Sequence, residues 1–421
     1  MPTDLRQQRT VCTDSKTLRL IAASIVALGG LFLTDVRQQA AAAGPNSPAI
    51  ITAAENVKLR GTYRDSWRQF TQEKQGHVAF LGGSITEMNG YRPMVATFLE
   101  ESFPETEFTF TNAGIASTCS TTGACRLSRD VLSHGPVDLL FVEFAVNDDQ
   151  DAAHTREECI RGMEGIVAQA RRHNPRVDIV FTYFVNPAML EQLQEGKTPL
   201  PIAAHEAVAE QHGIGSVHLA KEVAERITAG ELTWKVYGGT HPAPAGNAIA
   251  AELIQMMLTA AWNDSTATAA ATTPTPLLDP FSYTQARLLP LETVETNGGW
   301  STQIPNWSSI SGSCRTRFRE TNLLVCEKPQ SELTIEFEGR AIGAYVLAGP
   351  DAGKLEFSID DGPYQSVDLW HRFSRNLHYP RTVMFRDDLI DQQHILRVRL
   401  AQEHHPESTG TAARILSFVA N

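Results

Sequence analysis

The chain has 421 residues, which is enough for two domains with a sizeable core in each. Its apolar content of 42% is ordinary for a globular protein, so the composition indicates neither a disordered chain nor a polytopic membrane protein. The net charge of −12 argues against nucleic acid as a partner, because phosphate binding needs a basic face.

Residues 1–45 have the layout of a targeting segment. Basic residues precede an apolar run from Leu20 to Leu33, and small residues from Ala40 to Gly44 follow it. The run is short for a membrane span, which needs about 20 residues. We expect a cleaved signal peptide and export to the periplasm or the medium. An uncleaved anchor is the alternative, and only then would a membrane be a partner.

Export makes disulfides possible, so the cysteines after this segment matter. They are Cys119, Cys125, Cys159, Cys314 and Cys326. Two short-range pairs suggest themselves, Cys119–Cys125 and Cys314–Cys326, which would leave Cys159 unpaired. None of the spacings resembles a zinc site.

After a lead-in over residues 46–75, apolar runs that predict strands alternate with patterns that predict helices. The predicted strands are His77–Leu81, Phe108–Thr111, Val137–Val146, Val177–Phe184 and Ser216–Leu219. The predicted helices are Arg92–Phe103, one capped by Thr155 and Glu158 that ends at Asn174, Ile202–His212, Lys221–Thr228 and Ala245–Trp262. Continuous apolar strands indicate a parallel sheet covered on both faces. Residues 46–262 therefore predict a three-layer α/β/α sandwich with a five-stranded parallel sheet.

The pattern changes near residue 263. Residues 263–280 are rich in Thr, Ala and Pro without periodicity, which is a linker composition. From 281 to 421 the chain shows short, often alternating strands separated by turn signals, which predict an all-β sandwich or jelly roll. The predicted strands are Leu333–Phe337, Ile342–Leu347, Lys354–Ile359, Ser366–Leu369 and His394–Leu400.

Ser84 follows two glycines at the point where the first apolar run stops. This predicts a strand, a tight turn and a helix, with the serine hydroxyl at the carboxyl end of a strand, where open α/β sheets bind ligands. From this stretch alone, a nucleophile and a helix-capping serine are equally good interpretations.

Three downstream residues add what a nucleophilic serine needs. Gly114 follows the second strand with a backbone N–H, and Asn147 follows the third with a side-chain amide. His241 lies in a turn beside Pro242, before the last helix. A base and oxyanion donors at one sheet edge are the requirements of acyl transfer.

Ser84, Gly114, Asn147 and His241 occur in four blocks that together resemble the SGNH/GDSL hydrolases, over about residues 76 to 262. The resemblance implies a flavodoxin-like serine esterase without a cofactor. It implies Ser84 as nucleophile and His241 as general base. The N–H groups of Ser84 and Gly114, with the amide of Asn147, would hold the oxyanion.

The family usually has an aspartate three residues before the histidine, and here that position is Gly238. Three explanations remain open. His241 works in a dyad with a backbone carbonyl, or a carboxylate from Asp148, Asp149 or Glu87 replaces the aspartate, or the protein is weakly active.

Several other residues are candidate substrate contacts. Asn89 and Tyr91 follow the nucleophile turn closely enough to line a cleft. Trp370, His371 and His378 belong to an aromatic and basic loop that could stack on sugar rings. The alternative is that the aromatic side chains of this loop fill the sandwich core.

No metal site is predicted. His205 and His212 lack the spacing of a zinc motif, because position 209 is Ala, and we expect both to be solvated. Asp148, Asp149 and Asp151 fit the acidic preference at the start of a helix better than a cation site.

These features predict an exported serine esterase that hydrolyses short acyl esters, above all acetyl esters, on carbohydrate or another small ester substrate. A lipolytic or arylester hydrolase and an acyltransferase of the same family are alternatives. So is a catalytically weak, polysaccharide-binding surface protein, which Gly238 favours.

Overall fold

The structure is a computed structural model, which describes residues 54–263 and 275–421. The predicted targeting segment and most of the predicted linker lie outside the described residues. Residues Asn56–Asn421 form one compact unit. Among the described residues, no helix combines the length and the apolar character that crossing a membrane requires.

The first part of the chain is built on a six-stranded sheet in the order β1-β6-β5-β4-β2-β3. The strands are β1 (Val57–Lys58), β2 (Gln75–Gly82), β3 (Glu107–Gly114), β4 (Leu139–Glu143), β5 (Asp178–Thr182) and β6 (Gly215–Val217). Strands β2 to β6 are parallel, and β1 runs antiparallel to β6. The predicted five-stranded parallel sheet is confirmed, and the lead-in segment adds a short antiparallel edge strand to it.

Helices connect these strands. They are α1 (Arg64–Arg68), α2 (Ser84–Glu87), α3 (Tyr91–Ser102), α4 (Ser120–Asp130), α5 (Arg156–His173), α6 (Pro187–Gln194), α7 (Leu200–Gln211), α8 (Leu219–Thr228), α9 (Trp234–Tyr237) and α10 (Pro244–Asn263). The predicted cap of α5 is present, since Thr155 and Glu158 form a reciprocal capping box. Every residue of the central strand β4 is buried, as expected when both faces of a sheet are covered.

The second part consists of two antiparallel sheets, which confirms the predicted sandwich. One sheet contains β7 (Arg287–Leu289), β9 (Trp300–Gln303), β10 (Leu323–Cys326), β12 (Ile342–Ala348), β15 (Tyr379–Arg386) and β17 (Ala413–Ala420). The other contains β8 (Glu295–Asn297), β11 (Glu332–Gly339), β13 (Gly353–Ile359), β14 (Gln365–Asp368) and β16 (Gln392–His404). Apolar side chains from both sheets form the core between them.

The segment just after the undescribed residues is bound to the first part. The buried carboxylate of Glu164, on α5, accepts the N–H groups of Leu278 and Asp279 at 2.8 and 3.2 Å. It also accepts the hydroxyl of Ser282 at 2.6 Å. The chain therefore packs against α5 before it enters the sandwich.

The suggested disulfides are absent. The five cysteines within the described residues are buried free thiols. Cys119 caps α4 and Cys125 lies within it, and six residues of helix rise about 9 Å, beyond the reach of a disulfide. Cys326 faces the core between the sheets, whereas Cys314 packs in a separate cluster on the opposite face of β10.

Candidate active site

Ser84 and His241 meet although 157 residues separate them. Ser84 is partly buried at the start of α2, directly after β2 and Gly83. The Nε2 atom of the exposed His241 lies 2.7 Å from the Ser84 Oγ. A neutral imidazole at this distance accepts the serine proton, which is the arrangement that activates a hydroxyl.

The two glycines before Ser84 are required by close packing. A Cβ atom on Gly82 would lie 2.2 Å from the Thr86 hydroxyl. A Cβ atom on Gly83 would lie 1.9 Å from the Asn147 Oδ1. Any larger residue at either position would therefore push the serine turn away from α2 or from Asn147.

The loop before His241 cannot hold the family's aspartate. Gly238 and Gly239 have φ values of +108° and +87°, which L side chains rarely adopt. A Cβ atom on Gly238 would also lie 2.0 Å from the backbone nitrogen of Ala243. Within residues 54–263 and 275–421, no hydrogen-bond partner holds the Nδ1 of His241.

Asp149 and Glu87, two of the carboxylates predicted as alternatives, are bound elsewhere. Asp149 accepts the side-chain amide of Asn186 at 2.7 Å. Glu87 accepts the Ala116 N–H at 2.9 Å and pairs with Arg317 at 2.8 Å. The prediction that either one orients the catalytic imidazole is therefore not supported by the structure.

The third carboxylate, Asp148, is fully buried and is also bound to residues other than His241. It accepts the Ser120 N–H and the Nε2 of His205, each at 2.8 Å. Burial alone would raise the pKa of Asp148, but His154 and His205 outweigh it and hold that pKa well below its ordinary value. The prediction that Asp148 orients His241 is wrong, because its oxygens serve this buried pair of histidines.

The expectation that His205 and His212 are solvated is also wrong. His205 is fully buried beside Asp148, and the Nε2 of His212 lies 2.7 Å from Glu164. The two histidines are seven residues apart and therefore project from one side of α7 and its C-cap, and this side faces inward. A helix pattern alone could not reveal the partner carboxylates, because they lie on other elements.

Donor atoms around Asp148 lie close enough together to ligate a metal ion. Asp148 is within 4.8 Å of Cys119 and His154 in one group, and of Cys159 and His205 in another. The histidine and backbone contacts already described satisfy this carboxylate, so the cluster is explained as a buried ionic network.

The three predicted oxyanion donors differ in availability. No acceptor among the described residues binds the N–H of Ser84. The Gly114 N–H donates to the Oδ1 of Asn112 at 3.0 Å. The Nδ2 of Asn147 donates one hydrogen to Asp151 at 2.9 Å and retains a second. An incoming ester oxygen would find the first donor open and would have to displace Asn112 from the second.

Sequence analysis missed a buried carboxylate beneath the serine turn. Glu143, the last residue of β4, accepts the Thr86 hydroxyl at 3.1 Å and a hydrogen bond from the Gly83 N–H. Burial raises its pKa to about 7. The available signal was a charged residue, Glu143, between Val142 and Phe144 in the middle of an apolar run.

Of the two residues predicted to line the cleft, one is in the core. Tyr91 is fully buried, and its ring packs edge-on against Phe80. That prediction is wrong, because the first turn of α3 faces inward against β2. Asn89 is exposed beside the serine turn, so its predicted role remains open.

The aromatic loop of the sandwich is mostly internal. Trp370 is buried and stacks on His405 with ring centroids 4.1 Å apart. His378 is fully buried, its Nε2 lies 3.0 Å from a backbone carbonyl oxygen, and burial lowers its pKa to about 4. The predicted sugar contact is wrong for these two residues, because core packing uses them. His371 is partly buried and stacks on Tyr379.

Comparison with known proteins identifies a family that matches the first part of the chain. Residues 80–249 match the model of the GDSL-like lipase/acylhydrolase family. Among curated protein sequences no match was found.

Two solved structures resemble most of the chain. Both are of a two-domain esterase (CEX) active on acetylated mannans, one of them co-crystallised with mannopentaose. The mannopentaose structure has 20% sequence identity and a TM-score of 0.70, and covers 87% of this chain and 97% of the other. The second has 19% identity and the same TM-score, and covers 87% and 98%. This likeness extends over both the α/β part and the sandwich. The family match shows that residues 80–249 form a GDSL-like lipase/acylhydrolase domain, which supports a carboxylic ester hydrolase.

Proposed function

We propose that the protein is an exported esterase that removes short acyl groups, above all acetyl, from carbohydrate. The observation that carries the mechanism is the 2.7 Å contact between the Ser84 Oγ and the His241 Nε2. The two residues are 157 positions apart in the chain, and their side chains are in contact just beyond the carboxyl end of β2.

In the proposed reaction, the Ser84 oxygen attacks the ester carbonyl and its proton passes to the His241 Nε2. The N–H groups of Ser84 and Gly114 and the amide of Asn147 stabilise the oxyanion. The imidazolium then gives its proton to the leaving alcohol, and an acyl-enzyme forms on Ser84. Water, deprotonated by His241, hydrolyses this ester and restores the serine.

His241 would work without a carboxylate partner. No partner for its Nδ1 is found in the described part of the chain, and the glycines before it exclude the family's aspartate. We therefore propose a Ser-His dyad, in which solvent or a bound substrate hydroxyl completes the hydrogen bonding of the imidazolium.

The carbohydrate part of the proposal is supported by the two-domain neighbours, whose known activity is on acetylated mannans. Export is supported by the apolar run and small residues near the N-terminus.

The direct test is hydrolysis of p-nitrophenyl acetate by the Ser84→Ala variant. The proposal predicts a loss of about 10⁴-fold or more in kcat, because the nucleophile is gone. Undiminished turnover would refute the assignment. Acetate release from acetylated mannan, compared with hydrolysis of a series of longer acyl esters, separates the carbohydrate esterase from a lipolytic enzyme.

The missing aspartate favours one other candidate, a polysaccharide-binding protein with weak catalysis. A fluorophosphonate probe distinguishes the two. An active dyad reacts with the probe at Ser84, whereas a degenerate site would stay unlabelled while binding to immobilised glycans persists.

A further inference from the structure

The β-sandwich contacts the loops that carry the proposed oxyanion donors. The guanidinium of Arg315 donates to the Ala116 carbonyl at 3.1 Å and to the Ser117 hydroxyl at 2.8 Å. Arg317 donates to the carbonyl of Gly114 at 3.3 Å. The loop that follows β3 is therefore held from the second part of the chain.

The other donor, Asn147, is reached by a chain of two hydrogen bonds. Tyr379, on β15 of the sandwich, donates its hydroxyl to the Oδ1 of Asp151 at 2.5 Å. The second oxygen of Asp151 accepts the Asn147 amide at 2.9 Å. Beside this chain, Arg372 donates to the backbone carbonyl of Gln150.

This chain determines how the Asn147 amide is oriented. The side chain is 2% exposed, and its Oδ1 packs against Gly83 without accepting a hydrogen bond. The bond to Asp151 is therefore the polar contact that fixes the amide plane, and with it the direction of the second N–H. Bonds to an ionised carboxylate are shorter and stronger than neutral ones.

The carboxylate in turn depends on the tyrosine. Burial raises the pKa of Asp151, and the hydrogen bonds from Tyr379 and Asn147 oppose that rise. Without the tyrosine hydroxyl, the Oδ1 of Asp151 would lose this donor, and the carboxylate would be held only through Oδ2, which accepts from Asn147 at 2.9 Å and from Gln150 at 3.2 Å.

We propose that Tyr379 and Asp151 are positioning residues for the oxyanion donor Asn147, so that the sandwich is a structural part of the active site. The inference rests on the proposed function, because it assigns a purpose to Asn147 in that reaction. It differs from a role in sugar binding, since neither residue needs to touch the substrate.

The first test is Tyr379→Phe, which removes only a hydroxyl. We expect kcat for p-nitrophenyl acetate to fall about tenfold with KM unchanged, because the oxyanion charge develops only in the transition state. Tyr364→Phe is the matched control. Tyr364 also donates to a carboxylate, Glu332 at 2.6 Å, but within one sheet of the sandwich. The kcat of Tyr364→Phe should equal that of the unmodified protein. An equal loss in both variants would overturn the proposal.

A double-mutant cycle separates positioning from a general effect on folding. In the Asn147→Ala background the amide is gone, so Tyr379→Phe should cause no further loss in kcat. A tenfold loss in both backgrounds would show that the tyrosine acts by another route and would overturn the proposal, as would no loss in either. Thermal unfolding of all four proteins confirms that they fold.

Ser84→Ala in the same assay keeps the two proposals distinguishable. If that variant retains activity, the proposed function fails and the cycle has no bearing on Asn147. If it is inactive and Tyr379→Phe has no effect, the function stands and the positioning role is rejected.

Discussion

The two sides of Ser84 are built differently. On one side, Asn147 is buried and held by Asp151, which Tyr379 holds from the sandwich. On the other side, His241 is exposed and comes shortly after two glycines with positive φ. Among the residues that the structure describes, its imidazole is hydrogen-bonded to Ser84 alone. The proposed oxyanion donor, Asn147, is thus held by a hydrogen-bonded carboxylate, whereas the proposed base, His241, is exposed to solvent.

This difference fits the demands of the proposed reaction. An oxyanion donor is useful only if it is already in place when the charge develops, so it must be held rigidly. A base that takes the serine proton and returns it to the leaving alcohol must be within hydrogen-bond reach of both oxygens. The contrast predicts that chemical rescue should work on the exposed side and fail on the buried side.

The largest expected effect is from His241→Ala. We expect kcat for p-nitrophenyl acetate to fall by about 10⁴-fold or more, as for loss of the base in other serine hydrolases. Because the imidazole position is open to solvent, added imidazole should restore part of the activity. The double variant Ser84→Ala/His241→Ala controls for direct attack by imidazole. Equal stimulation by imidazole in the double variant would show that imidazole attacks the ester directly and does not replace the His241 side chain.

Asn147→Ala should cost about 10² to 10³ in kcat, the usual loss for one oxyanion donor. Here added acetamide should not rescue, since the amide lies enclosed between Gly83 and Asp151. Full activity in this variant would show that Asn147 is only a packing residue, and rescue by acetamide would contradict the buried, fixed side of the comparison.

The sequence did not predict the difference between the buried Asn147 and the exposed His241. The four blocks predicted the sheet, the serine turn and the histidine, because strand ends and glycine turns are local features. The link from Tyr379 to Asp151 joins positions 228 residues apart. No local pattern reports such a contact between two domains. The predictions for Tyr91 and Trp370 were wrong because closeness to a turn or loop in the sequence does not show which side chains pack inward. Tyr91 packs against Phe80, and Trp370 stacks on His405.

Glu143 lies beneath the serine turn, and its ionisation should make the free energy of unfolding depend on pH. Its pKa is raised from 4.5 to about 7, so the unfolded chain ionises first. The contribution of Glu143 to the free energy of unfolding is therefore complete below about pH 4.5 and falls by about 3 kcal/mol as the pH rises to 7. Glu143→Gln should flatten this decline in urea unfolding. Asp178→Asn is the control, because burial also raises the pKa of that carboxyl to about 7. It should change the pH dependence of stability and leave the esterase activity unchanged. An unchanged pH dependence in Glu143→Gln would contradict the account.

The smallest effect should come from Asn112→Ala, and its sign is the informative part. The Oδ1 of Asn112 accepts the hydrogen bond of the Gly114 N–H. A substrate oxygen must therefore break this bond, at a cost of about 1 kcal/mol. Removing the side chain should raise kcat/KM by up to about fivefold. A large decrease would mean that Asn112 binds the substrate and that Gly114 is not the donor.

The central claim is that Ser84 becomes acylated during turnover. Rapid quenching of the enzyme with p-nitrophenyl acetate, followed by mass spectrometry of its peptides, tests it directly. We predict an acetyl group on the peptide that contains Ser84, absent in Ser84→Ala. Steady turnover with acetyl on another residue, or on none, would contradict the mechanism.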